Sequence, residues 1–338
     1  MGKINFKINN ISLWATVGLF IFIFGLCAIL FEGFFTVQNF FNLLNDNSFL
    51  FIIAAGMTLV IISGGVDLSV GSVLALATMV AAYLIEKQHL SPLLVVPLVL
   101  LMGAGLGAFM GYLIHTFELQ PFIVTLGGYY LARGLCYVVS IDTISITNPA
   151  YVALSQQQFF LLGENYIYIN IIIAAILIVY AIYLAHYSKF GRTIYAIGGN
   201  EQSALLMGLP VGRSKILLYT FNGFCSALAG VVFTFYMVSG YALHGKGMEM
   251  DAIAASVIGG TFLTGGVGTI VGTVFGVLVY GTIQYFIMFQ GTLNSWWTRI
   301  VIGVLILIFC VLQRVIEAGK IKKTAVPQNA IAAETVAK

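Results

Sequence analysis

Charge is what this sequence has least of. Asp, Glu, Lys and Arg make up 8% of its 338 residues, against about a quarter in a soluble domain, and that shortfall excludes an ordinary water-soluble enzyme or binding module. Cysteine is scarce too. Cys27, Cys136, Cys225 and Cys310 each sit in an apolar run without C-x-x-C spacing, so they read as small buried hydrophobes, and no metal or redox centre is expected. The acids are scattered, and His89, His115, His186 and His244 fall mainly in or beside loops with no nucleophile or metal arrangement, so no catalytic site is expected. No basic tract suggests nucleic acid. A nucleotide loop of the form G-x-x-x-x-G-K-[ST] is also missing. Its nearest imitation, GLPVGRS at 208–214, has three residues between its glycines and Arg in place of Lys, and GVGTIVG at 266–272 misses the dinucleotide spacing inside an apolar run. This chain binds no cofactor by these criteria, and any ATP it depends on is hydrolysed elsewhere.

What the sequence has is apolar length. Hydrophobic residues make up 60% of it and the mean hydropathy is +1.02, in repeated stretches near the roughly 20 residues that cross a bilayer. The expected fold is an all-α polytopic membrane protein of about ten transmembrane helices, near 11–31, 47–65, 69–85, 92–114, 121–141, 166–187, 215–238, 252–263, 268–289 and 296–314. The segment 252–263 is too short to cross alone. The basic start MGKINFKINN leads into an apolar run longer than a secretory signal core, with no small-residue cleavage site after it, and is read as a retained first span. Alternating sides gathers Lys3, Lys7, Lys189, Arg192, Arg213, Lys215, Arg314, Lys320, Lys322, Lys323 and Lys338 on one face, eleven of the fifteen cations. That face is the cytoplasm, with both termini inside. Residues 1–319 form one transmembrane domain, and the tail 320–338 loses hydrophobic periodicity and is expected to be disordered.

An internal echo points to a path. SGGVDLSVGSVLAL at 63–76 aligns with TGGVGTIVGTVFGV at 264–277, and paired glycine interruptions in the two halves of a transporter mark segments that border the substrate route. At the first break, beside Ser63, Asp67 has two readings: Asp67 or Ser69 caps the following helix, or Asp67 is a polar element of the path. Gly103, Gly107 and Gly111, like Gly268, Gly272 and Gly276, form ridges that let helices approach closely.

Other polar groups in apolar runs are path candidates. Arg133, with Tyr129 and Tyr130 a turn before it, either holds backbone carbonyls or faces a cavity. Asn222 and Gln284 either bond between helices or contact sugar hydroxyls, and Trp296 and Trp297 either anchor at the headgroups or stack on a sugar. The loop 142–165 suits docking of a soluble donor protein or plain connection. On the basic side, residues 188–215 carry a short helix: Asn200 caps it, Glu201 opens it, Gly208 ends it and Pro210 prevents its resumption. A helix so short, bearing Leu205, Leu206 and Met207, needs a surface to pack against. Composition leaves open a partner groove or the lipid surface.

GMTLVIISGGVDLSVGSVLALATMVAAYL, TLGGYYLARGL, GRTIYAIGGNEQSALLMGLPVGRSK and IGGTFLTGGVGTIVGTVFGVLV resemble, in order and over nearly the whole chain, the permease subunits of bacterial ABC sugar importers of the ribose, xylose and arabinose type. SGYALHGKGMEMDAIAASVIGGT and GTLNSWWTRI look most like the galactofuranose permeases within that family. The resemblance implies a bacterial inner-membrane subunit that forms the sugar path beside a second permease subunit, as a heterodimer in the lipid bilayer. It also implies a periplasmic sugar-binding protein and a cytoplasmic ABC ATPase that holds ATP and Mg. Residues 188–215 occupy the place of the family's ATPase-coupling segment, where Glu201, Ala204 and Gly208 keep a loose version of the Glu-Ala-Ala loop spacing. The competing functions are the same role for another sugar such as ribose or galactose, a sugar carrier driven by an ion gradient, for which Asp67 beside Arg133 would supply the coupling groups, and, behind these, a channel.

Overall fold

The computed structural model describes residues 6–324 except 162, 293 and 295. Within them the chain is helical almost throughout: α1 Phe6–Leu30, α2 Val37–Asp46, α3 Ser48–Ile62, α4 Val70–Ala82 (prolonged by a π turn, Tyr83–Lys87), α5 Pro92–Thr116, α6 Pro121–Val139, α7 Pro149–Ser155, α8 Ile169–Tyr187, α9 Lys189–Gly199, α10 Glu201–Leu206, α11 Val211–Met237, α12 Met248–Ile258, α13 Ile270–Gln290 and α14 Trp296–Thr324. Each of the ten expected spans coincides with a helix. Seven helices are long and apolar enough to cross a membrane, or eight when α2 and α3, bent by 56°, count as one. At 11 residues, about 16 Å, α12 covers only half of a ~30 Å hydrocarbon core. The tail is corrected at its start, since α14 continues through Thr324; positions 325–338 lie outside the described residues.

The hub is α11, 27 residues and about 40 Å long, packed on α3, α4 and α5. Its closest neighbour is α5, and the expected ridge is the reason. A Cβ at Gly103 would strike Ala227 and the Gly223 carbonyl, at Gly107 the Tyr219 carbonyl, and at Gly111 the backbone of Ile216. With glycine there, backbone meets backbone and dispersion contacts replace side-chain bulk. The second ridge works alike, with Gly272 against Gly259 and Gly276 against Ala255, so α12 and α13 form an antiparallel pair. A hydroxyl cluster ties this pair to α3, Thr58 Oγ1 lying 3.0 Å from Ser256 Oγ and 2.6 Å from Thr273 Oγ1.

Residues 239–247 descend irregularly alongside α4, with Gly240 against Thr78 and Ala82 and Gly245 against Gly71 and Leu74. The short α12 therefore starts inside the fold, entered from non-helical chain. The described part of the loop 142–165 carries secondary structure of its own, including α7. β1 (Ile144–Ser145) pairs with β4 (Ser239–Gly240), β2 (Gln158–Phe160) pairs with β3 (Tyr166–Tyr168), and Tyr151 reaches Thr234 Oγ1 at 2.5 Å while stacking on Phe235.

Replacing Gly107 by Leu drives a side chain into the α11 backbone, and overpacking costs about 1–3 kcal/mol or more. The detergent-solubilised Gly107→Leu protein is expected to melt several degrees lower than the parent, whereas Gly105→Leu, where a Cβ meets nothing within 4 Å, should leave the melting temperature unchanged.

Candidate functional site

The two glycine interruptions meet. Gly64 and its counterpart Gly265 adopt nearly the same left-handed backbone, φ +83° and +84°, which glycine enters without steric cost. The Gly266 N–H donates to the Ile62 carbonyl at 2.8 Å, so the two reversals bond directly. A third segment closes the junction. Gly198, in the last turn of α9, lies so close that a Cβ there would fall on the Ile62 carbonyl and the Gly266 nitrogen, and the Tyr195 hydroxyl donates to the Gly268 carbonyl at 2.8 Å.

Asp67, 1% exposed, is pinned in this turn. Its Oδ1 accepts from the Ser69 N–H at 2.8 Å and the Ser69 hydroxyl at 2.6 Å, and its Oδ2 accepts from Asn222 Nδ2 at 2.7 Å. The capping expectation is corrected in detail. Ser69 is the N-cap of α4 but makes no side-chain cap bond, because its hydroxyl is spent on Asp67; Asp67 fixes the approach to the helix and ties it to α11. In the corresponding place before α13, Thr269 does cap, accepting from the Gly272 N–H at 3.0 Å. Ser63 ends α3 by donating its hydroxyl to the Val60 carbonyl at 2.7 Å.

Above the junction, polar side chains from five elements line a cavity of about 350 Å³, among them Asp46, His244, Lys246, Asp251, Tyr280, Gln284 and Arg299. Tyr280 lies within hydrogen-bond reach of both Asp251 and Gln284, and Asp46 accepts from the Tyr285 hydroxyl at 2.8 Å. A second polar cavity, about 660 Å³, is lined by Asn45, Gln158, Asn170 and Tyr236, and Tyr236 lies within reach of Asp46 in the first. Carboxylates that accept, cations that donate, and hydroxyls and amides that do both are the chemistry that binds a polyhydroxylated ligand without selecting one net charge.

The sequence-level candidates separate around this cavity. Gln284 lines it. Asn222 meets Asp67 below it. Arg133 does not meet Asp67: its Nη1 donates to the carbonyls of Ala242 at 2.5 Å and His244 at 2.9 Å, and its guanidinium lies over the Tyr129 ring at 5.4 Å. It clamps the descending stretch that forms the cavity wall, the carbonyl-holding alternative, and the ion couple once open between it and Asp67 is not formed. Tyr130 points outward and is mostly exposed, as is Trp296 at 68%, with Trp297 half-exposed. Trp296 packs under the Arg299 guanidinium at 5.9 Å. Sequence reading missed Asp46, His244, Lys246, Asp251 and Arg299 as site residues, since each is near an apparent span end, and Tyr280, a tyrosine in the middle of an apolar span. The readable signal was Arg299, a cation one turn into an apolar helix.

On the basic side, α10 has its expected punctuation, Asn200 Oδ1 accepting from the Ser203 N–H at 2.7 Å and the Leu209 N–H returning to the Ala204 carbonyl at 3.1 Å. Glu201 pairs with Lys215 at 2.6 Å. Ala204 is buried against α9 and α11, whereas Leu206 is 89% and Met207 67% exposed, with Leu205 beside them. The preceding α9, capped by Ser188, was not expected; its glycines at 191, 198 and 199 hid the helical signal.

A polytopic helical protein whose interrupted helices enclose a polar cavity belongs to the membrane permeases. Residues 39–310 match a family described as the permease component of the branched-chain amino acid transport system, and the chain belongs to it. It is 48% identical over 306 residues to the inner membrane ABC transporter permease protein YjfF of Escherichia coli K12, covering 90% of this chain and 92% of that one. It is 37% identical to the fructose import permease protein FruG of Bifidobacterium longum, over 94% and 95% of the two chains, and 39% identical to the ribose import permease protein RbsC of Bacillus subtilis, over 88% and 91%. No solved structure matches. The chain is thus a multi-pass inner-membrane permease subunit of the sugar ABC transporters and not itself an enzyme.

Asp67→Asn keeps an oxygen for Ser69, and the Asn222 amide can turn to present its own oxygen, so near-parental stability and at least partial transport are expected. Asp67→Ala strands a buried amide at a cost of about 1–3 kcal/mol and should lower both melting temperature and transport; equal behaviour of the two variants would contradict the pinning role.

Proposed function

We propose that this chain forms half of the membrane path of an ATP-driven importer for a monosaccharide, galactofuranose. It pairs with a second, different permease subunit. A periplasmic binding protein delivers the sugar, and ATP with Mg is held on a cytoplasmic ABC ATPase. The observation that carries this reading is the polar cavity bounded by non-helical backbone. Its His244, Lys246 and Asp251 come from SGYALHGKGMEMDAIAASVIGGT and its Arg299 from GTLNSWWTRI, the two segments that carry the galactofuranose-like resemblance. A furanose offers exocyclic and ring hydroxyls at different heights, which suits donors and acceptors spread over α2, the descending stretch, α12, α13 and α14.

The coupling segment supports ATP drive. An exposed Leu205–Leu206–Met207 face is costly in water and fits an apolar groove on a partner. From there the path inward is short: α10 follows α9, and α9 ends against Ile62 and Gly266 at the junction. Closure of the ATPase would shift α9 and with it both reversals beneath the cavity.

The test is uptake of a labelled sugar panel, galactofuranose included, into proteoliposomes holding the chain with its second permease, ATPase and binding protein. ATP-dependent uptake of galactofuranose is expected; uptake of another sugar alone rejects the cargo, and gradient-driven uptake by this chain without ATPase rejects the whole reading. Leu205→Asp with Leu206→Asp should abolish uptake in a permease that still inserts. Arg299→Gln or Asp251→Asn should lower uptake by at least about 10-fold, the loss of one charge-assisted hydrogen bond, with ATPase binding unchanged.

A further inference from the structure

Two of the remaining cavities share a wall. One, about 720 Å³, is an apolar groove between α5, α8 and α11, lined by Ile176, Leu177 and Tyr180 on one side and Leu217, Phe224 and Leu228 on the other. The other, about 580 Å³, lies between the starts of α9 and α11 and carries Lys189, Arg192 and Arg213. Leu217 lines both. The groove follows α11 from Leu217 to Leu228, about 16 Å of helix, which is one leaflet of a ~30 Å core. The three cations are exposed, and the one salt bridge among the described residues joins other groups, Lys215 and Glu201.

We propose that this continuous surface binds an anionic glycerophospholipid of the cytoplasmic leaflet, its phosphate held by Lys189, Arg192 and Arg213 and one acyl chain laid along the groove. Charge complementarity selects the occupant. A neighbouring protein helix would fill the groove but leave three cations unanswered at its end, whereas a lipid supplies an apolar chain and a phosphate in that order and at that spacing. Basic pockets between helices on the cytoplasmic side recognise such headgroups, and each cation near an anionic surface strengthens binding several-fold. Tyr180, half-exposed at the groove wall, offers a flat apolar side to the chain. Because Lys189 and Arg192 open α9, the bound lipid would steady the helix that reaches the glycine junction.

The test is native mass spectrometry of the intact transporter complex, titrated with phosphatidylglycerol or phosphatidylcholine of identical chains. Preferential retention of phosphatidylglycerol is expected, weakened about 30-fold by Arg192→Gln with Arg213→Gln, while Lys215→Gln, already paired with Glu201, leaves retention unchanged. Phe224→Ala, which enlarges the groove without adding bulk, should weaken retention of both lipids and keep the headgroup preference. Equal retention of the two lipids, or insensitivity to the double substitution in a complex that elutes as the parent does, overturns the proposal. So does loss of the second permease or of the ATPase from the variants with lipid retention intact, since the surface would then be a protein interface.

Discussion

Everything in this structure depends on keeping backbone polar groups satisfied where there is no water to satisfy them. A helix that stops inside a membrane leaves carbonyls and amides without partners, and this chain stops twice. Its solution is to bring the two stops together. The Gly266 N–H answers the Ile62 carbonyl at 2.8 Å, and Gly198 closes over both. Only bare backbone allows three segments to converge in so small a space, which is why the interruptions are glycine-rich and why α9 ends in a Gly-Gly pair.

Side-chain chemistry then stiffens what the backbone begins. Asp67 is a buried carboxylate with three donors, and it joins the first reversal to α11 rather than facing the cavity. Thr58, Ser256 and Thr273 join α3 to the second pair of helices. Arg133 fastens the descending stretch by two carbonyls. Polar groups therefore play two roles at different depths: those below hold helices together, and those above, on residues 46, 244–251, 280–284 and 299, remain open to a ligand. The exposed α10 follows α9, and α9 ends against both reversals at the junction.

Much of the fold was legible because helix formation in lipid is dictated locally. Each apolar run needs intrahelical hydrogen bonds, so the ten segments read from hydropathy became helices in the structure. The glycine ridges and the caps at Asn200 and Glu201 were legible for the same reason, each being a local rule acting on a few neighbouring residues. The cavity was not. Asp46, Asp251 and Arg299 stand far apart in sequence, at or beside the ends of apparent spans, so no local pattern joins them; only the packing of α2, α12 and α14 brings them to one cavity. The α9 helix was hidden by its glycines, whose low helix propensity is outweighed by the packing they permit.

By itself, then, the amino-acid sequence determined that the chain lives in a membrane, where its spans are helical and where they are interrupted, because burial of apolar side chains and local backbone bonding are properties of short segments; its transporter class was legible only through the resemblance of whole motifs to a known family. Which polar groups meet was decided only by the tertiary structure. Asp67 could have faced Arg133 or Asn222, and Arg133 could have faced a ligand or a carbonyl; the choice followed from close helix approach at glycine ridges, an effect of packing between segments that no single segment contains.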